Sequence, residues 1–286
     1  MPEHSYLRVP SPGSMKTIAF TNQKGGVGKT TSAVTIAAVA AERGASVLVV
    51  DLDSQGSATE LFLGSDPPSP GLSDALSGEA RWADVVRTGR EPGALGDGSG
   101  RIDVLAATEG LTIFEESIAE TGDLWAVGTL VGGVRKADRY DLCVVDCPPA
   151  IGRLSLNAVA GADLIVAPVT LSSLSMRGVV RLRRMVDAVE GALGEVPRVL
   201  YLPCAVDARY SETAEFLGVL HEAFGEYPGG DVLPPVRTSS AASRSYARAL
   251  TAVEYHPDGR LAEDYRAVLD ALVQHGSLAL PVRVTA

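Results

Sequence analysis

Lysine is scarce in this chain, with Lys16, Lys24, Lys29 and Lys136 the only four in 286 residues. Cysteine is scarcer, at three, and Cys143, Cys147 and Cys204 each lie inside or beside an apolar run. An odd count without framework spacing excludes a disulfide scaffold and fits a reducing interior. Aromatic residues make up 5% of a sequence that is 46% hydrophobic, so the core is expected to be aliphatic. No apolar run reaches the roughly 20 residues of a membrane-spanning helix, and no signal peptide opens the chain, so a soluble, cytoplasmic protein is expected. The formal net charge of −10 argues against a nucleic-acid partner. That sum does not exclude a local basic face.

No internal repeat or low-complexity linker divides the sequence, which predicts one domain over residues 15–286. Residues 1–14 carry three prolines and no apolar periodicity, and Met15 stands directly before the first strand-like run. They read as a flexible extension or cloning remnant. Strands are predicted at Thr17–Thr21, Ser46–Val50, Ile102–Ala106, Leu142–Val145, Leu164–Val169, Val199–Cys204 and Val232–Val236. Several are continuously apolar, as parallel strands covered on both faces are. Most intervening segments are long enough for a crossover helix. The fold class is therefore α/β: a mostly parallel, twisted sheet of about seven or eight strands with helices on both faces. The first helix is predicted over Gly28–Arg43 and ends at Gly44. Between Gly64 and Gly100 an elaborated loop is expected, with short helices near Leu72–Leu76 and Trp82–Arg87.

The chemistry concentrates where the first strand meets the first helix. The segment runs Asn22-Gln23-Lys24-Gly25-Gly26-Val27-Gly28-Lys29-Thr30-Thr31. Glycines let backbone N–H groups turn inward around phosphate oxygens, and a helix N-terminus adds partial positive charge there. Lys29 is placed to reach the β- and γ-phosphates, and the Thr30 hydroxyl to bind Mg²⁺. The usual first glycine of a P-loop is replaced by Gln23. A second lysine, Lys24, opens the loop instead. Two of four lysines in one loop is not a compositional accident.

Two apolar strands end in carboxylates. Val47-Leu48-Val49-Val50-Asp51-Leu52-Asp53 puts Asp51 and Asp53 on one face at a strand's C-terminal end, where open α/β sheets bind ligands. Asp51 is the candidate for orienting the attacking water. Leu142-Cys143-Val144-Val145-Asp146 has the Walker B pattern, with Asp146 expected on Mg²⁺ through its water shell. Cys143 and Cys147 flank that aspartate with no histidine nearby and read as packing residues.

Lys24-Gly25-Gly26-Val27-Gly28-Lys29-Thr30-Thr31 resembles the deviant Walker A loop of the ParA/MinD superfamily. The likeness extends through Asp51 to Thr59 and Asp146-Cys147-Pro148-Pro149, and covers about residues 16–274. It implies an Mg-dependent ATPase that uses ATP and forms a homodimer when ATP-bound. Lys24 would reach across to the partner's nucleotide, delivering positive charge in trans as an arginine finger does. Gly25, Gly26, Val27, Gly28, Thr31 and Pro234 would join Lys24, Lys29 and Thr30 in contacting the nucleotide. Four positions depart from the family pattern: Ser54, Ser57, Thr170 and Ser172.

The superfamily divides by cargo. In a DNA-partitioning ATPase, Arg209 and Arg237 fall in segments whose arginines contact DNA in the family. Arg177, Arg181 and Arg184 recur at i, i+4 and i+7 with Arg183 beside them, and Arg244 and Arg248 form another pair. Such a set would bind phosphates without sequence preference. Salt bridges to Asp187 or Glu190 are the competing use of the helical arginines. The resemblance also implies a ParB-type partner whose basic N-terminal peptide stimulates hydrolysis. A MinD-like membrane positioner would need a basic amphipathic C-terminal helix, which Gly276–Ala286 lacks. A metabolic enzyme of the same fold, such as an iron–sulfur reductase component or an ATP-dependent ligase, is a third reading, and the reductase would need two well-placed cysteines as cluster ligands. A related ATPase moving a non-DNA cargo fits the same residues.

Overall fold

The computed structural model describes residues 15–66, 68–96, 100–121, 125–149, 152–193, 197–226, 230–274, 278 and 280. The extension expected at residues 1–14 and nearly all of the 276–286 tail lie outside them. In chain order the elements are β1 (Lys16–Phe20), α1 (Lys29–Glu42), β2 (Ser46–Asp51), α2 (Ser57–Leu63), α3 (Leu72–Leu76), α4 (Trp82–Val85) and β3 (Val86–Arg90). Then follow β4 (Arg101–Leu105), α5 (Gly110–Thr121), α6 (Ala126–Lys136), β5 (Leu142–Asp146), α7 (Arg153–Gly161) and β6 (Leu164–Thr170). The chain continues through α8 (Ser173–Leu193), β7 (Arg198–Cys204), α9 (Ser211–Phe224), α10 (Ser240–Tyr246), α11 (Ala252–Tyr255) and α12 (Arg260–Gln274).

The strands form one sheet in the order β3-β4-β2-β5-β1-β6-β7, parallel except where β3 pairs antiparallel with β4. Alternation along each strand sorts side chains to two faces. Ile18, Phe20, Val47, Val49, Val144 and Val166 meet α1 and α12 on one side. Ala19, Leu48, Val50 and Val145 meet α5, α6 and α7 on the other, and Ile165 and Ala167 meet α8. The alanine-rich α1 is buried all round, from Ala33 to Ala41, so it sits between the sheet and α12. It closes at Gly44, whose φ of +93° suits a glycine stop.

Six of the seven predicted strands belong to the sheet, and the seventh place is taken differently. Val232–Val236 makes only isolated bridges, Val232 to Tyr201 beside it and Arg237 to Val206 just past its end. Leu233 N–H reaches Tyr201 O and Val236 N–H reaches Pro203 O, but Pro234 and Pro235 between them carry no N–H for a continuous ladder. The sheet instead gains β3, where a helix was expected as far as Arg87. That helix stops at Val85 and residues Val86–Arg90 pair along β4. A register shift falls between Thr88 and Arg90, where a Cβ on Gly89 would lie 2.8 Å from Val104 Cγ2. The edge strand has no fully buried residue, so it shows no alternating pattern to read.

Candidate nucleotide site

β1 lies between β5 and β6, and the chain leaves it at the C-terminal edge of the sheet to form the loop before α1. Gly26 and Gly28 adopt φ of +71° and +95°, a left-handed conformation that other residues reach only at a cost. A Cβ on Gly25 or Gly26 would touch nothing within 4 Å, so these glycines leave a bare backbone surface facing outward. That is the surface a phosphate cradle needs.

Lys29 starts α1 and is 7% exposed. Its ammonium donates to the Lys24 carbonyl at 3.3 Å. Burial lowers its pKa, while Asp146 and Asp53 pull it back up. The Lys24 ammonium reaches Thr170 Oγ1 at 3.5 Å, and its backbone N–H donates to Asn22 Oδ1 at 3.2 Å. Thr170, one of the four positions that depart from the family pattern, thus contacts the front lysine.

Asp51 and Asp146 are register partners at the ends of β2 and β5, and both are wholly buried. Their surroundings differ. Asp51 Oδ2 accepts from both the Thr59 N–H and the Thr59 hydroxyl at 2.8 Å, and Oδ1 accepts from Asp53 N–H at 3.2 Å. Burial raises its pKa against these bonds. Both oxygens of Asp146 lack a hydrogen-bond partner. Burial and the neighbouring Asp51 push its pKa well up, while the nearby Thr30 hydroxyl and Lys29 ammonium favour the ionised form. An unpartnered buried carboxylate is costly unless a ligand completes it. A hard cation bound between Thr30 and Asp146 fits this donor set. Asp53, half-buried two residues beyond Asp51, accepts the Gln55 N–H at 3.0 Å, the one hydrogen bond to its carboxylate among the described residues.

The three cysteines are buried and free. Burial pushes Cys143 and Cys204 up to about 12 and raises Cys147 further. Among the described residues no group of three His, Cys, Asp or Glu could hold a metal ion. No described helix is long and apolar enough to cross a membrane.

The structure spreads the arginines over several surfaces. Arg181 and Arg184 are exposed on α8, beside a half-exposed Val180, while Arg183 takes Asp187 at 2.8 Å. The side chain of Arg177 falls outside the description. Arg209 folds back on Asp207 at 2.6 Å and remains 81% exposed. Arg237 is engaged by Asp264 at 2.7 Å and Glu263 at 3.3 Å. Arg248 lies 5.2 Å from the centre of the Tyr255 ring, and Arg244 is exposed on α10. Pro234 is half-buried between the buried Leu233 and the exposed Pro235.

Two polar residues escaped sequence reasoning as site components: Asn22 and Thr59, both buried. Their signal was position alone, a polar residue at a strand end and another eight residues beyond Asp51.

A phosphate loop on a mostly parallel sheet, flanked by strands ending in aspartate, defines a P-loop nucleotide-binding protein, and residues 15–195 match the AAA domain family. The chromosome-partitioning ATPase Soj of Thermus thermophilus is 34% identical over 258 residues, covering 88% of this chain and 96% of the relative. The chromosome partitioning protein ParA of Caulobacter vibrioides is 30% identical over 239 residues, covering 82% and 86%. The cobyrinic acid a,c-diamide synthase of Mycobacterium smegmatis, crystallised with an ATP analogue and magnesium, superposes with a TM-score of 0.73 at 26% identity, covering 92% and 96%. The chain belongs to the ParA/Soj family of chromosome-partitioning ATPases.

Proposed function

We propose that this protein is an ATP-dependent switch that closes as a homodimer on Mg-ATP, then binds DNA without sequence preference. Slow hydrolysis, stimulated by a ParB-type partner, releases it. It acts in the cytoplasm on the nucleoid and drives chromosome or plasmid partitioning. The observation that carries the reading is the unpartnered, fully buried Asp146 carboxylate beside Lys29 and Thr30.

The loop from Lys24 to Thr31 cradles the phosphates with backbone N–H groups, and Pro234 borders the base. Lys29 leaves the Lys24 carbonyl for the phosphate oxygens. Thr30 and Asp146 hold Mg²⁺, which when bound offsets phosphate charge. Lys24 crosses to the partner protomer's nucleotide. Asp51 supports this end of the site, because its carboxylate is already held by Thr59 and Asp53. The water-orienting role expected of Asp51 fits Asp53 better, since Asp53 spends one oxygen on one bond and stands nearer the open loop. Arg181, Arg184, Arg209 and Arg237, with Arg177, supply the phosphate contacts, and two protomers double that set.

The test is duplex DNA retention at low salt with and without Mg-ATP. ATP-dependent retention is expected, and it should disappear in Lys24→Ala. Absence of retention by the parent points to a non-DNA cargo on the same switch. Within the site, Asp53→Ala should keep ATP binding and slow turnover. Full turnover in Asp53→Ala would return the role to Asp51.

A further inference from the structure

The turn that releases the phosphate loop from the sheet is made by a side chain. Along the β1–β6 edge, Thr21 N–H donates to Val166 O at 3.1 Å. Parallel ladders step by two residues, so the next rung belongs to Gln23 N–H and Pro168 O. That rung is taken instead by Asn22 Nδ2, at 2.7 Å from Pro168 O. The substitution lets the backbone leave the sheet one residue early without leaving a buried carbonyl unpaired. Asn22 is 1% exposed, and its amide oxygen accepts the Lys24 N–H. The Lys24 carbonyl in turn holds the Lys29 ammonium. One buried amide therefore sets the backbone that orients both loop lysines. From the other side Gly178 of α8 presses on it: a Cβ there would lie 3.0 Å from Asn22 Oδ1.

We propose that Asn22 is a positioning residue with two separable functions: it fixes the front of the phosphate loop, and it ties that loop to the end of β6 and to α8. Resting on the nucleotide-switch reading above, this names the route by which occupancy of the loop reaches the helix carrying Arg181 and Arg184. When Lys29 moves from the Lys24 carbonyl to phosphate, the Lys24 peptide is released on one side and Asn22 carries the shift to Pro168 and Gly178. The Oδ1 bond serves the loop and the Nδ2 bond serves the tether. Serine at this position keeps an acceptor for Lys24 N–H but cannot span to Pro168 O. Alanine loses both.

The experiment is amide hydrogen exchange on the full chain, with and without Mg²⁺ and a slowly hydrolysed ATP analogue, alongside the analogue's affinity. The parent should gain protection in both α1 and α8. Asn22→Ser should bind within about threefold of the parent and protect α1, but lose the protection of α8. Asn22→Ala should bind about tenfold more weakly. Gly178→Ala, a change that favours helix, crowds Asn22 from α8 and should weaken analogue binding about threefold without touching the ligand. Protection of α8 in Asn22→Ser equal to the parent's overturns the tether, and parent-like affinity in both Asn22→Ala and Gly178→Ala overturns the loop function. If the parent protects α1 but not α8, the proposal fails while the nucleotide reading stands. If the parent protects neither, both fail.

Discussion

Asp51 and Asp146 face each other across the β2–β5 register, both at zero exposure, and burial pushes both carboxyls up. One is saturated by its own protein, with three donors from Thr59 and Asp53. The other has none on either oxygen. Burial and charge repulsion do not separate the two residues; hydrogen bonding does. A carboxylate that the fold completes belongs to the architecture, whereas one that the fold leaves open costs stability and is kept for what binds there.

The sharpest way to break this comparison is to remove the charge at each position's weak point. Asp146→Asn should lower ATP hydrolysis by at least about 100-fold, because the cation loses its charged support. In the absence of nucleotide the same variant should unfold in urea no earlier than the parent, since it replaces a buried carboxyl that has no hydrogen-bond partner on either oxygen. Steady-state phosphate release and urea melts check the two halves. Hydrolysis within a few-fold of the parent would take Asp146 out of the metal site. Early unfolding would show that the carboxylate has a structural partner.

The opposite outcome is expected around Asp51. Thr59→Val keeps shape but removes the hydroxyl that donates to Asp51 and accepts from Ala107 N–H at 2.8 Å. Two buried polar groups lose a partner, so the variant should lose about 2–4 kcal/mol in urea unfolding. A loss below about 0.5 kcal/mol would mean the network is replaceable and the contrast with Asp146 is one of degree.

The sequence carried most of the frame because continuous apolar strands and the glycine loop are local signals. Ser46–Val50 and Leu142–Val145 lie inside observed strands, and α3 spans the predicted Leu72–Leu76. Illegible parts are those where a long-range partner decides. Val86–Arg90 becomes a strand only because β4 offers an edge, and Val232–Val236 fails as one because two prolines interrupt the donors it would need. The same holds inside the site. Asp51 and Asp53 look equivalent two residues apart, and only the Thr59 bonds from α2 set their hydrogen bonding apart.

A second contrast lies among the arginines. Arg237 is held by two acidic residues of α12, while Arg181 and Arg184 are exposed on α8. Arg181→Ala with Arg184→Ala should therefore cost more DNA retention than Arg237→Ala, which must first be freed from its ion pairs. The log–log salt slope should flatten by about 0.9 for each phosphate contact removed. Neither change should shift the urea midpoint measurably, since exposed ion pairs contribute little. Equal salt slopes in the parent and the α8 double variant would remove α8 from the DNA surface.

The smallest effect concerns the thiols, which share the burial of the two aspartates without any role in charge. Cys143 and Cys204 are pushed up to about 12, so at neutral pH they stay protonated and shielded from solvent. Cys147 sits beside Asp146, which raises it as well. A thiol-specific aromatic disulfide at pH 7.5 should find almost no reactive sulfur in the native protein and three in denaturant. Adding Mg-ATP should not change the native result, because the thiols answer to the core rather than to the site. Rapid labelling of Cys147 alone would show that the Asp146 strand end opens to solvent, and would place the unsatisfied carboxylate in a breathing edge instead of a closed one.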